Sequence, residues 1–218
     1  MNKYNLSYYL QLVSKITVNM NAKEKASIIQ EAIKNRRSYR KFLSKKIPSD
    51  LLKIILDSAK WAPNHRKTEP WRFISISKSS NKRIHISDAV KHLSIESSKN
   101  PNPKSKLKSA EKSKREILDS PELIYAFSIP GDTEEITQEN YAATCISIQN
   151  MALTSYFYNI SISWSTGKAT KIPCLDKILE IPAEWKIVGT LFMGFPAKPM
   201  NQIKVSREDF SYYTIWHD

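Results

Sequence analysis

Apolar residues recur at a spacing of three or four positions in four stretches of the chain, residues 3–18, 24–35, 49–62 and 139–159. This spacing places the apolar side chains on one face of an amphipathic helix. The pattern therefore predicts four helices, and "CLDKILE" at residues 174–180 predicts a fifth, shorter one. In the longest helix we expect the buried face to carry Tyr141, Cys145, Ile148, Ala152 and Tyr156.

Four other stretches have the pattern of β-strands. "WRFISIS" at residues 71–77 alternates in a way that suggests a strand with two different faces. Residues 122–129 and 186–196 are nearly continuous apolar runs, which are typical of buried strands, and "ISISW" at 160–164 is a shorter one. Because helices and strands mix without a regular β-α-β repeat, the predicted fold class is α+β, a sandwich rather than a doubly wound sheet.

Local signals mark where some of these elements begin and end. Ser49 is a candidate N-cap for the helix that follows it, and Pro63 ends that helix near Ala62. The residues from 97 to 108 are rich in proline, serine and lysine, and they predict a mobile loop. The chain shows no internal repeat and no clear domain linker.

Composition narrows the class of protein. The chain has 218 residues, of which 41% are hydrophobic, so it can bury a substantial core. No apolar run approaches the roughly 20 residues that span a bilayer, and the N-terminus lacks the features of a signal peptide. We therefore expect a soluble, cytoplasmic protein without a membrane partner.

The cysteines and glycines exclude several kinds of site. Cys145 and Cys174 lie far apart in sequence, which favours small core residues in a reducing compartment over a disulfide or a zinc site. We expect no bound metal. Four glycines are too few for a glycine-rich phosphate loop, so any nucleotide must be held in another way.

The formal net charge is +13, and much of it lies in residues 78–115. Such a segment could bind nucleic acid, but it contains no Phe, Tyr or Trp on which bases could stack. A solvated basic lobe is the favoured interpretation, and such a lobe would also attract a phosphorylated cofactor or NAD(P)H.

Three short motifs could carry chemistry. "NRRSYR" places Arg36, Arg37 and Arg40 around Ser38. Guanidinium and hydroxyl groups bind phosphate, although a basic helix terminus that complements the helix dipole has the same composition.

The other two motifs are a loop and a strand end. "PNHRKTEPW" contains His65, which could be a general acid, a hydrogen-bond donor or plain polar surface. "SWSTGKA" ends a buried strand near Gly167, where backbone amides could approach a ligand or the chain could simply turn.

Together, "RRSYRKF", "LLKIILDSAKWAPNHRKTEPWRFISI", "AATCISIQNMALTSYFYNISISWSTG" and "IPAEWKIVGTLFMGFP" resemble the nitroreductase family of FMN-dependent oxidoreductases, and its small, minimal branch in particular. The order and spacing of these motifs match those of the family from about Ile29 to the C-terminus. The resemblance implies a three-layer sandwich with a mostly antiparallel central sheet flanked by helices, in an intertwined homodimer. It divides the chain into an N-terminal helical extension, residues 1–25, and an FMN-binding domain, residues 26–218.

The resemblance also implies a set of cofactor-binding residues. The Arg-Arg-Ser motif would contact the FMN phosphate, ribityl chain and ring edge, the Ala-Pro turn would flank the flavin, and the Trp-Ser-Thr-Gly strand end would lie along the ring. A late arginine would be a second phosphate contact. The full set is Arg36, Arg37, Ser38, Arg40, Trp61, His65, Pro70, Trp71, Trp164, Ser165, Thr166, Gly167 and Arg207.

The activity implied by the resemblance is hydride transfer from NADH or NADPH, through FMN, to a nitroaromatic, a quinone or a similar electron-poor acceptor. The cycle would be ping-pong, and no protein side chain need act as nucleophile or acid–base catalyst. Two alternatives stay open at this point. One is a flavin-dependent dehydrogenase or dehalogenase of the same fold, and the other is a basic nucleic-acid-binding or scaffold protein whose flavin site is empty.

Overall fold

A computed structural model of the protein describes residues 20–217, except for the side chain at position 201. The predicted helix at 3–18 lies outside the described residues, and the 1–25 extension stays a prediction. The helices of the described part are α1 (Ala22–Asn35), α2 (Ser49–Ser58), α3 (Asn81–Glu96), α4 (Pro103–Asp119), α5 (Glu134–Phe157) and α6 (Leu175–Leu179). Its strands are β1 (Trp71–Ile76), β2 (Glu122–Ser128), β3 (Ser161–Ser165) and β4 (Lys186–Gly194).

The strands form one antiparallel sheet in the order β1-β2-β4-β3. At one end of the sheet, Trp71 pairs with Ser128, which pairs with Lys186 at the start of β4. At the other end, Ser161 pairs with Gly194 at the end of β4. The beginning of β1 and the beginning of β3 therefore lie at opposite ends of the sheet.

Each face of the sheet packs against its own layer of helices, because successive side chains of β2 point to opposite faces. Ile124 and Ala126 join a core with residues of α2 and α5, such as Ile55 and Met151. Leu123, Tyr125 and Phe127 join a second core with residues of α3, α4 and α6. The predicted α+β sandwich, with a central antiparallel sheet between helices, is confirmed.

The start of each helix follows from local chemistry. Asn21 and Glu24 exchange side-chain-to-backbone hydrogen bonds in a capping box, which begins α1. The predicted N-cap at Ser49 was wrong, since Pro48 occupies the cap position in an extended conformation and Ser49 is the first helical residue. The proline already supplies the extended conformation that a cap residue needs, so no side-chain bond is required.

The predicted loop at 97–108 was wrong for its second half. Asn102 caps α4 by accepting a hydrogen bond from Ser105 N, and Pro103 takes the first helical position. Proline is favoured there because its missing N–H has no partner in the first turn anyway. The irregular segment is therefore limited to residues 97–102.

Two expectations about buried side chains were wrong in part. On α5, Ile148 is buried and Cys145 and Ala152 pack against the core as predicted, whereas Tyr141 is exposed. The buried side of this helix also carries polar residues that were not predicted, namely Asn140, Thr144, Ser147 and Ser155. The small hydroxyl side chains fit close to the sheet because they bond to carbonyls within their own helix, as Ser147 does to Thr144 O. Cys174 is exposed rather than in the core, and Cys145 is half-buried.

In residues 20–217, none of the helices combines the length and the apolar character that crossing a bilayer requires.

Arg83 fastens the α3–α4 layer to the sheet. Its side chain is fully buried, and it donates hydrogen bonds to Ile117 O at 2.8 Å, to Ser120 O at 2.7 Å and to Ile76 O at 2.6 Å. These carbonyls lie at the end of α4, just beyond it and at the end of β1. One guanidinium therefore supplies hydrogen bonds to carbonyl groups of three separate segments.

We predict that Arg83→Ala lowers the free energy of unfolding by about 3 kcal/mol or more, because each buried carbonyl without a donor costs about 1–3 kcal/mol. Urea denaturation followed by circular dichroism measures the change. Lys104→Ala, which removes an exposed cation from α4, should leave stability within about 0.5 kcal/mol. Equal stability of the two variants would show that Arg83 does not hold the layers together.

Candidate functional site

Three arginines meet where α1 ends. A cavity of about 570 Å³ is lined by residues that include Arg36, Arg37, Ser38 and Arg207, together with apolar groups of α1 and of the C-terminal segment, residues 203–217. Among residues 20–217, no aspartate or glutamate lines it. We call this cavity the arginine pocket. Of the thirteen predicted site residues, it brings these four together.

Arg36 has unused hydrogen-bonding capacity at the surface of a cavity. Its Nε is buried and has no hydrogen-bond partner among residues 20–217, which is also true of Arg83 Nε in the core, but only Arg36 lines the arginine pocket. Burial lowers the pKa of the Arg36 guanidinium, and the positive charges of Arg37 and Arg207 lower it further. A buried donor without an acceptor and a set of like charges are both costly, and an anion in the pocket would relieve both.

Arg37, in contrast, forms hydrogen bonds to backbone carbonyls within the chain. Its Nε donates to Ile203 O at 2.8 Å, and its Nη1 donates to Lys34 O at 2.6 Å and to Arg36 O at 2.9 Å. The side chain therefore caps the carbonyl end of α1 and ties the C-terminal segment to it. Two of its three nitrogens are used within the chain, and only Nη2 remains for a ligand.

Ser38 joins the arginine pocket to a larger cavity of about 950 Å³, since it lines both. We call the larger one the α4 cavity. Arg40 lines it and is fixed there: its Nε donates to Ser163 Oγ at 3.0 Å and its Nη1 pairs with Glu116 at 3.1 Å. The Arg40 guanidinium also lies 4.5 Å from the centre of the Phe192 ring. Arg40 is thus separated from the three-arginine cluster.

The end of β3 lies close to Arg40. Trp164 lies across the neighbouring strand and donates through Nε1 to Val188 O at 3.0 Å. Gly189 makes this possible, because a Cβ at that position would come within 2.1 Å of Trp164 Nε1. Ser165 Oγ accepts the Gly167 N–H at 3.1 Å, so that amide is already used inside the turn. Thr166 is exposed.

The loop between α2 and β1 contains the remaining predicted residues, Trp61, His65, Pro70 and Trp71. It is strained, since Arg66, Lys67 and Glu69 all have positive φ without being glycine. Conformations of this kind cost energy and concentrate at functional sites. Trp61 has 75% of its surface exposed, and His65 is exposed as well.

A hydrogen-bonded chain holds this loop in place. Asn64 Oδ1 accepts from Glu69 N at 2.7 Å, and Asn64 Nδ2 donates to Thr68 Oγ1 at 3.0 Å. Thr68 Oγ1 donates to Asn140 Oδ1 at 2.6 Å, and the buried Asn140 donates to Ile129 O. Fixed polar partners on α5 therefore compensate for the strain of the loop.

One chain does not bring the loop and the arginine pocket together. Ser161 Oγ donates to Arg37 O, which places the pocket at the Gly194 end of the sheet. Trp71 lies at the Lys186 end. Eight residues of β4 separate the two ends, which is about 26 Å of extended strand. The residues of the arginine pocket thus lie near one end of the sheet and the loop residues near the other, while Trp164 and Ser165 lie beside the middle of β4.

Some residues at the site were missed by sequence reasoning. Asn64 and Asn140 brace the loop, Ser161 and Ser163 position the arginine motif, and α4 forms one wall of the larger cavity. Three cations that line this cavity, Lys108, Lys112 and Arg115, recur at helical spacing in the sequence. This signal was overlooked because residues 97–108 were predicted to form a loop. The two serines of β3 give no comparable signal in the sequence.

Comparison with known proteins identifies close relatives. The model of the Nitroreductase family matches residues 33–195. A Bacillus subtilis protein named "Putative NAD(P)H nitroreductase YfhC" is 32% identical over 142 residues, which are 65% of this chain and 71% of that protein. A nitrobenzene nitroreductase from Ectopseudomonas oleovorans is 38% identical over 56 residues, about a quarter of each chain.

Solved structures agree with this relationship. A nitroreductase-like family protein from Bacillus cereus superimposes with a TM-score of 0.72 at 26% identity, over 87% of this chain and 96% of that one. The FMN-dependent nitroreductase NfnB from Mycobacterium smegmatis, in complex with NADPH, has a TM-score of 0.69 at 15% identity, over 88% and 99% of the two chains, and supports the fold alone. The resemblance seen in the sequence is confirmed, and the chain belongs to the nitroreductase family.

Proposed function

We propose that the protein is an FMN-dependent oxidoreductase that transfers hydride from NAD(P)H to a small electron-poor acceptor such as a nitroaromatic or a quinone. The observation that carries the proposal is the arginine pocket, where the buried Nε of Arg36 has no partner beside two further guanidiniums. The names of the relatives support the same activity, since they include an NAD(P)H nitroreductase and FMN-dependent enzymes.

The residues present fit the phosphate group of FMN. A phosphate monoester carries about two negative charges and offers three acceptor oxygens. Arg36 would donate to it from a half-buried position, and Arg207 would approach from the C-terminal segment. Ser38 would extend the contacts towards the α4 cavity, because it lines both spaces. Side chains thereby replace the glycine-rich loop that this sequence lacks.

The bound flavin would supply the hydride chemistry, and this chain's residues would bind and orient it. Arg40, held by Ser163 and Glu116, would place a positive charge next to the cofactor with little freedom to move. Trp164 would form an apolar wall at the end of β3, where its indole is fixed by Val188 O. A fixed charge and a rigid wall cost no reorganisation when charge develops during the reaction.

We further propose that the working unit is a homodimer. Within one chain the strained loop leads to one end of β4 and the arginine pocket lies near the other end, about 26 Å away along the strand. A second copy would bring its loop to the pocket. The exposed apolar surface supports this arrangement, because the C-terminal segment exposes Tyr212, Tyr213, Ile215 and Trp216 almost fully. Clustered exposed aromatic groups of this kind mark interaction sites. Since NAD(P)H is the reductant, we place this activity in the cytoplasm.

The phosphate assignment predicts that Arg36→Ala weakens FMN binding by about 10- to 100-fold, because a charge-assisted hydrogen bond contributes about 1.5–3 kcal/mol. Titration of flavin-free protein, followed by the quenching of FMN fluorescence, measures the dissociation constant. Arg36→Lys should recover only part of the affinity, since lysine lacks the planar fork. Lys104→Ala, which changes the net charge alone, is the control. Unchanged affinity in Arg36→Ala would refute the assignment.

The homodimer predicts that combined replacement of Tyr213, Ile215 and Trp216 by serine yields a single chain of 25.1 kDa, whereas the unmodified protein has twice that mass. Light scattering after size-exclusion chromatography gives both masses. The control replaces Ile84 and Leu107, exposed apolar residues of the α3–α4 layer, by serine and should remain dimeric. A monomeric unmodified protein would contradict the proposal.

A further inference from the structure

The α4 cavity has a strongly basic wall. Its lining contains six basic side chains, Arg40, Lys41, Lys108, Lys112, Arg115 and Lys198, and three acidic ones, Glu111, Glu116 and Asp119. Lys108, Lys112 and Arg115 are four and three residues apart on α4, so they lie on one face of the helix. We call these three residues the basic stripe.

Ion pairing within the chain leaves the basic stripe free. Glu111 pairs with Lys91, and Glu116 pairs with Arg40. Among residues 20–217, none of the three stripe residues and neither Lys41 nor Lys198 has a salt bridge. Asp119 is the one acidic group of the lining without a salt bridge in this part of the chain. Among the described residues, the wall thus presents five basic side chains without a salt bridge and one such acidic side chain, although Arg115 lies near enough to Glu111 to help lower the pKa of that carboxyl.

The stripe faces the space next to the proposed cofactor. Ser38 lines both cavities, and Arg40 and Ser163 of the α4 cavity adjoin the proposed flavin site. A volume of about 950 Å³ suits a ligand of small-molecule size. The anion attracted by the stripe would therefore be a ligand that works beside the cofactor, and the inference rests on the proposed function in this respect.

We propose that the basic stripe binds the 2′-phosphate of NADPH and makes NADPH, rather than NADH, the preferred reductant. The two reductants differ only by this phosphate, which carries about two negative charges at neutral pH. A set of free lysines and an arginine on one helix face attracts that phosphate more strongly than the 2′-hydroxyl of NADH. No residue of the stripe need touch the nicotinamide ring.

NADPH fits the basic stripe better than FMN, the electron acceptor or a nucleic acid does. The phosphate of FMN already has the arginine pocket, with its buried and unpartnered Arg36 Nε. Nitroaromatic and quinone acceptors are mostly neutral and gain nothing from several cations. A nucleic acid requires a groove that follows many phosphates, whereas the stripe extends over about two helical turns.

The experiment compares NADP⁺ and NAD⁺ binding by isothermal titration, on purified protein whose flavin content has been measured by absorbance. The stripe variant combines Lys108→Gln, Lys112→Gln and Arg115→Gln. The control variant combines Lys99→Gln, Lys104→Gln and Lys106→Gln, which removes the same number of charges from residues outside the cavity lining.

We expect the unmodified protein to bind NADP⁺ about tenfold more tightly than NAD⁺, since each exposed charge pair contributes up to about fivefold. The stripe variant should lose about tenfold in NADP⁺ affinity but no more than about twofold in NAD⁺ affinity. The control variant should retain the preference. Raising the salt concentration should reduce the preference of the unmodified protein, because exposed charges are screened.

Three results would overturn the inference: equal binding of the two dinucleotides by the unmodified protein, an unchanged preference in the stripe variant, or an equal loss for both dinucleotides. The last result would assign the stripe to the shared pyrophosphate. These results are distinct from a failure of the proposed function, which would appear as protein that takes up no FMN. The affinities for NADP⁺ and NAD⁺ can be measured whether or not the protein takes up FMN.

Discussion

Like charges that are held together repel one another, and burial strengthens the repulsion because it removes the water that screens them. The arginine pocket holds like charges together despite this repulsion. Arg36 is half-buried beside Arg37 and Arg207, and no carboxylate lines the pocket to compensate. The chain nevertheless positions the cluster carefully, with Arg37 tied to the carbonyls of α1 and to Ile203 O. This ordered cluster of like charges is the basis of our proposal that the pocket binds an anion.

The geometry of the sheet determines how such a site is completed. β4 runs through the sheet from Lys186 to Gly194, with the strained loop leading to its first end and the arginine pocket near its second. No side chain spans the intervening distance of about 26 Å. The strained loop, its exposed Trp61 and the aromatic C-terminal segment are therefore best explained as surfaces that meet a second copy of the chain. Under the proposed function, dimerisation and cofactor binding would depend on each other.

The elements that were predicted correctly are those in which the spacing of hydrophobic residues is regular. The four strands and the helices α1, α2, α5 and α6 were predicted within a few residues, because packing against a sheet imposes regular spacing. Sequence reasoning failed for α4, where many lysines suggested a loop although Asn102 and Pro103 form a good helix start. It also missed the polar residues on the buried side of α5, since serine and threonine can satisfy their hydroxyls within the helix.

The sequence supplied a set of candidate site residues, but it did not predict how the fold separates them from one another. The structure separates the roles of the two arginines in "NRRSYR": Arg37 caps the helix end, and Arg36 Nε has no partner among the described residues, as our proposal of a phosphate ligand requires. Sequence spacing could not distinguish them, because the difference depends on contacts with residues 161 and 203, far along the chain. The pairing of Arg40 with Glu116 is likewise a contact between distant elements.

The flavin content of the purified protein tests the central claim most directly. Acid denaturation releases non-covalently bound FMN, which absorbance then counts against the number of chains. The account predicts one FMN for each chain, in protein purified with added FMN and freed of excess by gel filtration. Protein that stays colourless after the same treatment, while correctly folded by circular dichroism, would contradict the account.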